Sequence, residues 1–132
     1  MGDLTKNISR HELECNCGEC GLSYVCMDTV NAVQECCDHF ANKLGLNKVV
    51  LVITSASRCY EYNRLPVSEG GPGSNDNSQH PKCKAIDFKI LSIDPHDVYD
   101  YLNAKYSDRY GIGDYDRFTH LDTRDYKARW EG

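Results

Sequence analysis

A chain of 132 residues with 15 Lys and Arg against 20 Asp and Glu carries a formal net charge of −5, and its length fits one domain with a core of its own. The two signs of charge are mixed along the chain, so a general attraction to nucleic acid is disfavoured. No apolar run approaches the roughly 18 residues that a membrane span needs.

The first residues, Met1-Gly2-Asp3-Leu4-Thr5-Lys6-Asn7, hold neither an apolar segment nor a small-residue cleavage site, so no secretory signal is expected. Action outside the cell then requires another export route or release at lysis. Ser9 with Glu12 three residues later forms a capping-box pattern and predicts a brief helical lead-in. Cys15, Cys17, Cys20 and Cys26 follow, with Gly18 and Gly21 between them, as a tight cysteine-rich loop over 15–26. Thiols so spaced read either as a structural zinc site or as a packed or oxidised loop.

Residues 28–44 form the strongest helix pattern: Val30, Val33, Cys37, Phe40, Ala41 and Leu44 recur at steps of three and four. Asp28 is expected to cap its start and Gly45 to end it. The β-branched run 48–54 predicts a strand buried on both faces and central to a sheet. From 55 to 79 the chain turns polar and rich in Gly, Pro, Ser and Asn, with 69–77 as its extreme, which predicts a substrate-facing loop.

Residues 85–90 predict a strand, and Asp94-Pro95 caps and starts a second helix running to Lys105. Gly111-Ile112-Gly113 reads as a tight glycine turn. Residues 118–122 form a strand whose Phe118, His120 and Asp122 share one face. The tail, 126–130, mixes aromatic and basic residues and is expected to pack back on the domain.

The chemistry concentrates in His80, Asp87 and His120. Two imidazoles and a carboxylate are good ligands for zinc and leave a fourth position open, the arrangement of a catalytic centre. Asp122, two residues past His120 on the same face, is placed either as a general base or as the partner that orients a ligand histidine. Arg58 and Arg124 can hold a substrate carboxylate or a developing oxyanion, or serve as ordinary ion-paired arginines. His11, His39 and His96 are read as ordinary histidines.

These residues resemble a known family, the zinc D-alanyl-D-alanine carboxypeptidases and related cell-wall endopeptidases, in a superfamily shared with the amino-terminal domain of hedgehog proteins. The family's Ser-x-His-x-x-Gly-x-Ala-x-Asp motif is similar to Ser78, His80, Ala85 and Asp87. The segment 54–63, with Arg58 and Asn63, resembles the family's Ser-Gly-Tyr-Arg stretch with its trailing Asn. Gly70-Gly71 resembles the pair that precedes Ser-x-His. Gly111-Ile112-Gly113-x-Tyr115, followed by Phe118-Thr119-His120-Leu121-Asp122, resembles the family's ending, and Leu13-Glu14-Cys15-Asn16-Cys17-Gly18 is similar to the start of many members.

The resemblance covers about the whole chain. It implies a small α+β domain over 1–132, with an antiparallel sheet, flanking helices and a zinc site in a cleft. It further implies zinc held by His80, Asp87 and His120, with Arg58 contacting substrate or transition state.

Two departures stand out. Cys83 occupies the motif's glycine position, where it could pair with Cys59, approach the metal or fill space. Arg117 stands three residues before His120, where several relatives carry their catalytic acid, which shifts the base role to Asp122.

The expected function is a zinc metallopeptidase acting on peptidoglycan stem peptides, with Asp122 and Arg58 catalytic and Arg58, Ser78 and Arg124 binding substrate. One catalytic zinc is expected, and Cys15, Cys17, Cys20 and Cys26 offer a second, structural zinc site as the alternative to a packed or oxidised loop. The protein is expected to be a monomer with no nucleic-acid partner. It is expected in the cytoplasm until lysis or associated with a phage, as an endolysin would be. The alternative is a non-catalytic zinc-binding interaction module on the same fold.

Overall fold

A five-stranded sheet in the order β1-β2-β4-β3-β5 organises the molecule. Its strands are β1 (Leu51–Ser55), β2 (Ala85–Ile90), β3 (Gly111–Asp114), β4 (Thr119–Asp122) and β5 (Ala128–Glu131). The computed structural model describes residues 2–74 and 78–132. Part of the expected substrate-facing loop, residues 75–77, therefore lies outside the described residues.

Helices α1 (Met27–Leu44) and α3 (Pro95–Lys105) lie against the sheet, and a short α2 (Tyr60–Arg64) follows β1. The lead-in forms as a 3₁₀ turn, Arg10–Leu13, in which the Glu12 carboxylate accepts from the Ser9 N–H at 2.8 Å. Val30, Val33, Phe40, Val98 and Leu102 from α1 and α3 join Ile86, Phe88, Ile90, Ile112 and Leu121 from the sheet in one buried core. Strand alternation sends those sheet residues to the helix-covered side and leaves Asp87, His120 and Asp122 on the other.

Several expectations need correction. The run around 48–54 does not take a central place: β1 is an edge strand pairing only with β2, and Val50 is 59% exposed. Its continuous β-branched run suits either position, because only one face of the strand needs cover. The α1 cap is Cys26, with Asp28 inside the first turn, although Gly45 closes the helix in the left-handed region at φ 71° as expected. Asp94 caps α3 through the His96 N–H, with Pro95 at the helix start.

The Gly-Ile-Gly segment is a strand rather than a turn, and the tail is a strand too. β5 pairs parallel to β3, so the sheet is mixed and not purely antiparallel. The chain reaches that parallel position by passing from β4 across β3, which lies between β4 and β5.

Candidate metal centre

Sheet register assembles the site. Asp87 on β2 is directly opposite His120 on β4, His120 is opposite Gly113 on β3, and Gly113 is level with Trp130 on β5. These four positions form one row across four strands on the face away from the helices. The next row is Ala85, Asp122, Gly111 and Ala128.

The two glycines keep that face open. A Cβ on Gly113 would stand 2.6 Å from Trp130 Nε1 and 2.8 Å from Tyr115 Cε2. One on Gly111 would stand 2.5 Å from Asp122 Oδ1 and 2.6 Å from Arg124 Nε. Both glycines therefore serve close approach of side chains.

His80 reaches the row from the turn before β2. Its Nδ1 lies 2.7 Å from the Ala56 carbonyl, which can only accept, so the proton sits on Nδ1 and the Nε2 lone pair faces Asp87 Oδ2 at 3.2 Å. His120 Nε2 lies 2.7 Å from Asp122 Oδ2 and its Nδ1 2.7 Å from Asp87 Oδ1, so a proton kept on Nε2 by Asp122 leaves the Nδ1 lone pair facing the site. An imidazole lone pair and a carboxylate oxygen this close are stable only with a cation, a proton or a metal, between or beside them. Ligand atoms from His80, Asp87 and His120 all lie within 4.8 Å of one another. Two nitrogens and one oxygen with these tautomers fixed from behind suit zinc.

Electrostatics keep the carboxylates ionised. Burial alone would raise Asp87, but the charge and hydrogen bonds of His80 and His120 outweigh it and hold the acid well below its ordinary range. Asp122 behaves alike: burial is outweighed by hydrogen bonds from Arg124 and His120. For His120, burial opposes protonation, and the flanking carboxylates Asp122 and Asp87 overcome it and raise its pKa.

The other predicted residues lie close by. Arg58 is buried, with Nε on Ser55 Oγ at 3.0 Å, Nη1 on Asn63 Oδ1 and Ser74 Oγ, and Nη2 3.4 Å from Asp87 Oδ2. Arg124 turns Nε and Nη2 onto the two oxygens of Asp122, each at 2.7 Å. Asp122 has 0% exposure, enclosed between His120 and Arg124. Ser78 accepts the His80 N–H and lines the cleft with Arg58, Arg124 and the three candidate ligands.

A family model described as Peptidase M15 matches residues 6–122. The chain belongs to the M15 peptidase family. No curated protein and no solved structure matches significantly. M15 peptidases are zinc metallopeptidases of the D-Ala-D-Ala carboxypeptidase type, and the donor set of this member fits that metal.

Sequence reasoning missed one wall of this M15 cleft. Trp130 donates from Nε1 to the Tyr115 hydroxyl at 2.8 Å and packs its ring 5.0 Å from that of His120, while Tyr115 stacks on Phe118 at 4.3 Å. Only the parallel placement of β5 brings Trp130 there, and no local pattern announces it. The thiol expectation also changes. Cys15, Cys17 and Cys20 gather with Cys59, not with Cys26, which stands at the start of α1 with its N–H on the Cys83 carbonyl.

Cys83 itself adopts φ 60° in the turn between two ligands. The family motif's glycine suits that left-handed backbone. Cys83 belongs to neither donor cluster.

Proposed function

We propose that this M15 peptidase hydrolyses a peptide bond in the stem peptides of bacterial peptidoglycan, as a monomeric D-Ala-D-Ala carboxypeptidase or cell-wall endopeptidase of the endolysin kind. The observation that carries the reading is the convergence of His80 Nε2, Asp87 and His120 Nδ1 in an open cleft, with the far nitrogen of each imidazole committed to protein. The chemistry supplied there by zinc is polarisation of a carbonyl and a nucleophile from water at neutral pH.

The chain's own residues do the rest. Arg58 offers the Nη2 hydrogen not spent on Asp87 to a carbonyl oxygen that gains charge. Asp122 acts as a positioning residue, keeping the His120 proton on Nε2 and Nδ1 turned into the site. Its enclosure favours this role over proton transfer with substrate, which needs direct reach or one bridging water. Arg124 locks Asp122 and presents its remaining Nη1 edge, beside Tyr126, to a substrate carboxylate. Ser78 and the Tyr115, Phe118 and Trp130 wall bind the peptide.

One observation favours a second reading, a non-catalytic zinc-binding interaction module. Asp87 is the only carboxylate among the described residues lining the cleft. Digestion of purified peptidoglycan with zinc-loaded protein, with products identified by mass spectrometry, separates the two. Free D-alanine identifies a carboxypeptidase and severed cross-links an endopeptidase, whereas intact peptidoglycan supports the binding module.

A further inference from the structure

We propose that Cys15, Cys17, Cys20 and Cys59 hold a second, structural zinc ion that clamps the amino-terminal loop to the segment carrying Arg58. One sulfur from each lies within 4.8 Å of the others. Cys59 Sγ is 4.0 Å from Cys17 Sγ. Four thiolates around zinc at about 2.3 Å place sulfurs about 3.8 Å apart in a tetrahedron, so little movement closes the site.

Four thiols so gathered can form two disulfides or one metal site, and the backbone decides between them. Five N–H groups point at the four sulfurs. Those of Glu19 and Cys20 approach Cys17 Sγ at 3.5 and 3.4 Å, and that of Leu22 approaches Cys20 Sγ at 3.5 Å. The Cys59 N–H meets Cys15 Sγ at 3.3 Å, and the Tyr62 N–H meets Cys59 Sγ at 3.4 Å. A neutral sulfur is a weak acceptor, and N–H donors arranged in this way stabilise thiolate charge. Cys17 receives two of them.

A tetrathiolate set leaves no open position, so the ion is structural. Its consequence reaches the cleft through the chain: Cys59 directly follows Arg58, and the same loop is tied down by Asn16 Nδ2 on the Thr54 carbonyl and by the Ser57 N–H on the Leu13 carbonyl. The clamp therefore fixes the backbone from which Arg58 reaches Asp87.

The test counts metal and reads its ligands, independently of peptidase activity. The wild-type protein, purified under reducing conditions, is expected to carry two zinc ions per chain, and the His80→Ala/His120→Ala double variant one. Cobalt(II) loaded into that double variant is expected to give intense thiolate-to-cobalt charge-transfer absorption, lost in Cys17→Ser and Cys20→Ser versions of it. Because the cobalt spectrum is taken with all four thiols intact, a misfolded serine variant does not blur the result. A double variant that binds no metal, or cobalt bound without thiolate absorption, overturns the proposal. So does a non-reduced mass showing these thiols paired as disulfides.

Discussion

Asp122 is the residue whose proposed role, positioning or proton transfer, is most open to a direct test. Arg124 holds both of its oxygens, His120 shares one of them, and it has no exposure. Asp122→Asn should weaken zinc binding by about 10 to 100-fold, the usual cost of losing the partner behind a ligand histidine. A direct proton-transfer role predicts otherwise: unchanged zinc affinity and a rate loss of about 10² to 10⁴. Titrating zinc into both proteins decides. The same carboxylate has a pH signature. Its pKa is depressed below the ordinary 3.8, so its contribution to stability is full above that value and fades as pH falls through the depressed one. Wild type and Asp122→Asn should therefore differ in stability near neutrality and converge in strong acid. At Cys83 the effect runs the other way. With φ at 60° the residue sits where glycine is unstrained, so Cys83→Gly should raise stability by up to about 1 kcal/mol in chemical denaturation.

Strands carry two of the candidate ligands, Asp87 and His120, and the turn before β2 carries the third, His80. Residues 85–90 and 95–105 were legible because alternation and a capped, proline-started helix are local signals. His80, Asp87 and His120 were legible as donor types, and the register that sets Asp87 opposite His120 makes them neighbours. Gly111 and Gly113 misled, since glycine usually marks turns. Here both are strand residues, made small by Asp122 and Arg124 at one and by Trp130 and Tyr115 at the other. Gly113→Ala should therefore cost about 1 to 3 kcal/mol through overpacking and weaken zinc binding by displacing the Trp130 ring from beside His120. Unchanged denaturation and zinc titration curves would refute this use of the glycine. Cys59 and Trp130 stayed hidden for a common reason: each joins its cluster through pairings distant in sequence.

At the scale of the whole molecule, one face of the mixed sheet packs α1 and α3 while the other is left to polar and aromatic residues around three candidate ligands. Such a division concentrates stability on one side of the sheet and chemistry on the other. No helix among the described residues is long and apolar enough to cross a membrane. The tetrathiolate cluster adds a brace at the margin of the cleft, so the two metals are expected to have separate tasks. The most direct measurement is hydrolysis of a defined peptidoglycan stem peptide by metal-stripped protein as zinc is returned. The account predicts cleavage that appears with zinc and is lost in His80→Ala and His120→Ala. A zinc-loaded, folded wild-type protein that leaves both the stem peptide and cross-linked peptidoglycan intact would contradict it.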